Sequence, residues 1–173
     1  MSIATALRKT SRKIEFAVTG AEPGTDLLDT LKEEHEEVAE LLTRLVKSEK
    51  SAERKSLLKQ IKAALVPHVR AEEKVLYDAI LAQKEKQVKQ NGEEGYLEHN
   101  LADKMLATLG KISNAMSPEF GAASKVLKEL IEHHVAEEER AVWSDARAHF
   151  SKDDRIAMNA RYLTLKKAVK TPS

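Results

Sequence analysis

Histidine and glutamate side chains recur along this chain at a spacing that suits metal binding. His68 and Glu72 lie four residues apart, and so do His134 and Glu138. Residues four apart share one face of a helix, about 6 Å apart along its axis. Imidazole and carboxylate groups on one face are ligands for iron, manganese or zinc. The two pairs therefore predict a metal site if their helices face each other.

Two further histidines, His35 and His99, fall on the apolar seams of other segments. A single histidine on such a seam is usually a core residue, because an unpaired buried ring nitrogen costs about 1–3 kcal/mol and is therefore satisfied. One histidine on each of four segments is hard to explain in that way. Two inward glutamates with no Lys or Arg on the same seam positions also need a positive charge between them, and metal ions supply it.

The segments that carry these residues have the apolar spacing of bundle helices. Apolar residues recur at alternating steps of three and four, and no useful stretch alternates with period two. The seam of the first segment consists of Leu28, Leu31, His35, Val38, Leu42 and Leu45. Polar turns are predicted at residues 48–51, 90–95 and 117–118.

Two of the segments resemble the other two. Residues 65–73 match residues 130–139, and His35 with the leucines after it matches His99 more weakly. A helix pair that occurs twice predicts an all-α fold, an antiparallel up-down-up-down four-helix bundle with a short extra helix at each terminus. The predicted units are an amphipathic helix at 1–22, the bundle at 25–150, and a short helix and tail at 151–173.

The position of the middle turn is open. Histidines at equal depth in neighbouring antiparallel helices should straddle the turn between them symmetrically. For His68 and His99 the midpoint falls near residue 83, whereas the polar break lies at 90–95. Either the second helix ends near Ala82, or residues 84–95 fold back along the bundle.

Composition excludes several classes of protein. The chain has 173 residues, with 29 basic against 28 acidic side chains, so neither nucleic acid nor a membrane surface is expected as a partner. It has no cysteine, which excludes disulfides and thiolate metal sites. Residues 1–22 are basic and Ser/Thr-rich like a weak transit peptide, but an amphipathic helix is favoured. They lack the apolar region of a secretory signal, so a cytoplasmic location is expected.

In order along the chain, His, His-x-x-x-Glu, His and His-x-x-x-Glu resemble the hemerythrin-like, or HHE, cation-binding domains over residues 26–150. This resemblance implies two iron ions, joined by an oxo or hydroxo group, inside a four-helix bundle; manganese or zinc would suit the same donors. It implies six ligands, with the two glutamates bridging the metals: His35, His68, Glu72, His99, His134 and Glu138.

Asp103 marks a departure from the oxygen-carrying hemerythrins, which have a second histidine at this place, four residues after His99. Either Asp103 is a further ligand, or two positions stay open to water, dioxygen, peroxide or nitric oxide. An anionic oxygen ligand would favour ferric iron, which argues against simple reversible oxygen carriage.

Neighbouring residues offer alternatives. His133 competes with His134, and Glu137 would then replace Glu138. The Glu-x-x-His pairs of ferritin-like proteins are missing from the seam. Some of the surrounding acids are candidates to hold ligand N–H groups, although most should be solvated: Glu33, Glu34, Glu36, Glu37, Glu73 and Glu139.

Three functions remain in competition. The first is a di-iron protein that binds dioxygen, peroxide or nitric oxide, with peroxide decomposition as an enzymatic activity still open. The second is a non-catalytic iron or oxygen sensor, or stress-response module, that signals through terminal helices at 1–22 and 152–168. The third is a metal-free bundle with structural histidines.

Overall fold

The computed structural model describes residues 24–170. Within them the chain forms five helices and no strand, which confirms the all-α prediction. The helices are α1, Leu27–Lys47; α2, Ser51–Glu72 continued by a π-helical turn Glu73–Tyr77 and by Asp78–Leu81; α3, Lys86–Lys111; α4, Pro118–Glu137 continued by a π-helical turn Glu138–Val142 and by Trp143–His149; and α5, Lys152–Ala168. The helix predicted at 1–22 lies outside the described residues.

Several helices begin where side chains satisfy their first free N–H groups. The Asp26 carboxylate accepts a hydrogen bond from the backbone N–H of Leu28 before α1. Ser117 accepts one from Phe120 at the start of α4. Ser151 and Asp154 form a reciprocal capping box at the start of α5.

The four long helices pack in a ring, in which α1 contacts α2 and α4, and α3 contacts the same two helices. Helix α5 lies against α1 and α2. None of the described helices is long and apolar enough to cross a membrane.

Two apolar clusters fill the interior, and all four long helices contribute to both. The first cluster includes Leu42, Ile61, Leu106 and Leu127. The second includes Leu31, Leu76, Val88 and Trp143, and also Tyr162 from α5. His35, His99 and the pair His134 and Glu138 fall between the stretches of α1, α3 and α4 that belong to the two clusters. On α2, His68 and Glu72 lie where the two clusters meet, beside Val69 of the first and Ala71 of the second.

The break predicted at residues 90–95 is wrong, because α3 is helical throughout this stretch. The connection instead lies at 82–85, as the alternative of an early end to the second helix predicts. Gly92 and Gly95 are buried in α3, and each brings its bare backbone close to α2. A Cβ atom on Gly92 would already lie 3.1 Å from Ile80. Packing between the two helices thus outweighs the local turn preference of the glycines.

Candidate metal centre

Six of the seven predicted metal-binding residues come together between the two apolar clusters. Each is at most 5% exposed. They come from four helices and are His35 on α1, His68 and Glu72 on α2, His99 on α3, and His134 and Glu138 on α4.

Each glutamate lies between one histidine of the α1–α2 pair and one of the α3–α4 pair. Glu72 Oε2 is 3.5 Å from His68 Nε2 and 3.4 Å from His99 Nε2. Glu138 Oε2 is 3.4 Å from His35 Nε2 and 3.5 Å from His134 Nε2. The carboxylates therefore connect the two helix pairs at the centre of the bundle.

Several of these donor atoms have no hydrogen-bond partner among the described residues, although they are completely buried. They are Nε2 of His35, both carboxylate oxygens of Glu72, and Oε2 of Glu138. A buried polar atom without a partner is costly, and a buried carboxylate is especially so. A cation would supply the missing partner, so these residues fit a metal.

Two groups of ligand atoms are compact enough to hold an ion. The donor atoms of His35, His68 and Glu72 lie within 4.8 Å of one another, and so do those of Glu72, His99 and His134. Glu72 belongs to both groups, and it is therefore placed where a carboxylate could bridge two cations.

Four more glutamates face the outer nitrogens of the histidines. The Nδ1 atoms are paired as His35 with Glu139 at 3.3 Å, His68 with Glu34 at 3.0 Å, His99 with Glu73 at 3.3 Å, and His134 with Glu98 at 2.7 Å. An imidazole whose Nδ1–H donates to a carboxylate presents its Nε2 lone pair on the other side. Every histidine is thus oriented with Nε2 toward the centre.

The pairing follows the internal repeat. Glu34 and Glu98 each precede the first histidine of a half and bind the second histidine of the same half. Glu73 and Glu139 each follow the inner carboxylate and bind the first histidine of the opposite half. Sequence reasoning missed Glu98, although it precedes His99 just as Glu34 precedes His35.

The π-helical turn in α4 brings a further residue to the inner carboxylate of Glu138. In a π-helix the backbone repeats at i to i+5, whereas in an α-helix residue i+5 points away from residue i. Trp143 follows Glu138 by five residues, and its Nε1–H donates to Glu138 Oε1 at 2.9 Å. Sequence reasoning did not identify this contact, since the period of an α-helix does not place Trp143 beside Glu138.

Tyr77 occupies the equivalent place after Glu72. Its ring packs edge-on against His99, with centroids 5.3 Å apart. Its hydroxyl is buried and has no hydrogen-bond partner among the described residues.

The structure does not bring Asp103 to the centre. Its side chain is one-third exposed and forms an ion pair with Arg70, which also binds Glu73 at 3.2 Å. His133 is 62% exposed, whereas His134 is buried and faces the centre. Glu137 points outward to Arg140.

Burial and neighbouring charges shift the pKa values of the buried histidines and glutamates in different directions. Burial, followed by the charge of a neighbouring imidazole, lowers the pKa of His35 to about 3. Burial acts in the same direction on His99, but the adjacent carboxylates of Glu72 and Glu73 outweigh it and raise the pKa of His99 to about 9. Burial, together with the charge of Glu72, raises the pKa of Glu138 well above its usual range. Without metal at pH 7, His99 is therefore protonated, and the raised pKa of Glu138 favours the neutral form of its carboxyl group.

The family model for the hemerythrin HHE cation-binding domain matches residues 26–144 of this chain. The chain belongs to the hemerythrin HHE family. The resemblance inferred from the order of the histidines and glutamates is thereby confirmed. Both the family and the clustered histidine and glutamate donors indicate a metal-binding protein. Comparisons with curated proteins and with solved structures gave no match.

Proposed function

We propose that this HHE protein holds two iron ions and binds dioxygen, peroxide or nitric oxide at them. The observation that carries the proposal is a set of six buried donors that face one another, in which the inner atoms of His35, Glu72 and Glu138 have no hydrogen-bond partner among the described residues. His35 and His68 would hold one iron, His99 and His134 the other, and both glutamates would be shared.

The arrangement that supports this site is an antiparallel up-down-up-down four-helix bundle over residues 25–150. Short connections at 48–50, 82–85 and 112–117 join the successive long helices. Connections of this length favour neighbouring helices that run in opposite directions. The ring of contacts among α1 to α4 supports the same topology.

Binding of a small ligand requires iron rather than zinc at this donor set. Two imidazoles and two shared carboxylates give each ion four protein donors, which would complete the tetrahedral shell that zinc prefers. Iron takes six ligands, so the same donors would leave open positions at each iron. Iron ions in this site would supply open positions for a small ligand and the electron transfer that peroxide decomposition requires.

The space beside the histidines suits a very small ligand. A cavity of about 10 Å³ is bordered by all four imidazoles. The rest of its lining is aliphatic: Val38, Leu65, Val69, Ile131 and Val135. This volume corresponds to about one water molecule. A diatomic molecule or peroxide suits such a space, whereas an organic substrate with several polar groups would find neither room nor partners there.

Metal analysis with an absorption spectrum tests the proposal. After aerobic purification or reconstitution with ferrous salt, we expect two irons per chain and the charge-transfer bands of an oxo-bridged diferric centre. A protein that takes up no iron under these conditions would contradict the proposal. Steady-state consumption of peroxide by the iron-loaded protein then distinguishes an enzyme from a protein that only binds its ligand.

Metal binding should release protons at pH 7 and strengthen as the pH rises toward 9. His99, with a pKa raised to about 9, is protonated at pH 7 and must lose that proton to bind metal through Nε2. Burial and the charge of Glu72 raise the pKa of Glu138 in the same direction, and this carboxyl group must also be ionised to bind metal. Above pH 9 the contribution of His99 disappears, because the imidazole is already neutral. Calorimetric titration with zinc in two buffers of different ionisation enthalpy measures the release. An affinity that is constant from pH 6 to 9 would contradict this assignment.

A further inference from the structure

Helix α5 reaches the metal centre through a buried tyrosine. The Tyr162 side chain is completely buried, and its hydroxyl donates to Glu34 Oε2 at 2.6 Å. The same hydroxyl lies 3.0 Å from His68 Nδ1. Lys166, one turn further along α5, places its Nζ 2.7 Å from the same oxygen of Glu34. Three donors from α2 and α5 thus converge on a single carboxylate oxygen.

This arrangement occurs at one of the four outer glutamates. Among the described residues, no tyrosine hydroxyl contacts the carboxylates of the other three, Glu73, Glu98 and Glu139. Helix α5 packs on α1 and α2, on the side of His35 and His68. The match to the HHE domain ends at residue 144, before α5 begins. The contact is therefore a property of this chain that the family assignment does not supply.

We propose that α5 is part of the metal centre, with Tyr162 and Lys166 as positioning residues for His68, and that metal at His68 in turn stabilises the docking of α5. Glu34 is 15% exposed at its side chain, and its hold on His68 Nδ1 depends on its staying turned inward. Tyr162 and Lys166 fix it in that orientation. The inference requires a metal ion at His68, but it requires neither iron nor oxygen chemistry.

The coupling follows from the chemistry of the imidazole. A cation at Nε2 draws electron density from the ring, so the Nδ1–H group becomes a stronger donor to Glu34. Glu34 is then held more firmly in the position in which Tyr162 and Lys166 meet it. By thermodynamic linkage, if α5 strengthens metal binding, metal strengthens the docking of α5 by the same factor. Metal occupancy would thereby be transmitted to the C-terminal helix.

Other contacts of α5 supply a matched control, because they hold the helix without touching the centre. Asn159 donates to the backbone carbonyl of Thr25 at 3.1 Å. Arg155 binds the carboxylate of Asp26 at 2.7 to 3.1 Å. An Asn159→Ala variant therefore weakens the docking of α5 and leaves Glu34 with its three partners.

The test combines zinc titration of the full chain with amide hydrogen exchange of residues 152–168, with and without zinc. In the unaltered protein we expect zinc to slow exchange in α5. In Tyr162→Phe, zinc affinity should fall about tenfold, as is typical when an outer partner of a ligating histidine is lost. The zinc-dependent slowing should largely disappear. Lys166→Met, at a partly exposed position, should show the same two changes to a smaller extent.

Asn159→Ala should exchange faster in α5 with and without zinc, but it should keep both its zinc affinity and the zinc-dependent slowing. Unchanged affinity in Tyr162→Phe and Lys166→Met would overturn the proposal. Equal loss of affinity in Tyr162→Phe and Asn159→Ala would also overturn it, because the effect would then be one of general helix docking. Zinc carries no oxygen chemistry, so neither result bears on the proposed di-iron function, which iron analysis tests separately.

Discussion

Replacing Glu72 with alanine is expected to remove metal from the whole centre rather than from one half. Its Oε2 lies 3.5 Å from His68 Nε2 and 3.4 Å from His99 Nε2, and it belongs to both groups of ligand atoms. Loss of an outer hydrogen-bonding partner already costs about 10–100-fold in metal affinity. Loss of a donor shared by both groups should cost more, so the variant should retain almost no iron after desalting.

Asp103→Ala is the matched control for this experiment. The sequence also offered Asp103 as a metal ligand, but the structure pairs this side chain with Arg70 outside the centre. We expect this variant to keep its metal. The Glu72 variant should remain folded without metal, because it loses a buried carboxylate that has no hydrogen-bond partner among the described residues. Metal content measures whether each variant binds iron, and thermal unfolding measures whether it is folded. Full iron content in Glu72→Ala would refute the shared role of this residue.

Gly95→Ala should destabilise the metal-free protein strongly for a single methyl group. A Cβ atom at this position would lie 2.4 to 2.6 Å from ring atoms and the hydroxyl of Tyr77. The phenol is completely buried and packs against the rings of Tyr96 and His99, so it has little room to retreat. Overpacking of this kind costs about 1–3 kcal/mol. Contacts this short with a buried ring call for the upper end of that range, which exceeds the gain of about 1 kcal/mol from replacing a helical glycine.

Gly121→Ala provides the comparison, because a Cβ atom there would meet nothing within 4 Å. This variant should gain about 1 kcal/mol in the free energy of unfolding from helix propensity alone. Denaturant unfolding of both variants gives the two values. Similar stabilisation in both would mean that the contact between α2 and α3 at Tyr77 is looser than the structure shows.

The spacing of apolar residues made both the helices and the four buried histidines predictable from the sequence. Steps of three and four between apolar residues identify a buried helix face, and His35, His68, His99 and His134 lie on those faces. The requirement of equal depth also offered residue 83 as one of two alternatives for the middle connection. The local turn signals at Gly92 and Gly95 pointed elsewhere, because a glycine that permits close helix packing looks the same in sequence as one that ends a helix.

The outer partners were less accessible to sequence reasoning. Glu34 was one of several acids near His35, and Glu33, Glu36 and Glu37 are exposed, so composition alone does not select it. Trp143 reaches Glu138 through a π-helical turn, which no α-helical period anticipates. Tyr162 lies 128 residues from Glu34, and only tertiary packing brings α5 to it.

The position of the centre between the two apolar clusters has a mechanical consequence. The chain crosses this polar layer once in each long helix, and the layer lies between the two apolar clusters. The chain has no cysteine with which to tie these crossings together. A metal held by residues as far apart as His35 and Glu138 would therefore act as a cross-link between distant parts of the chain.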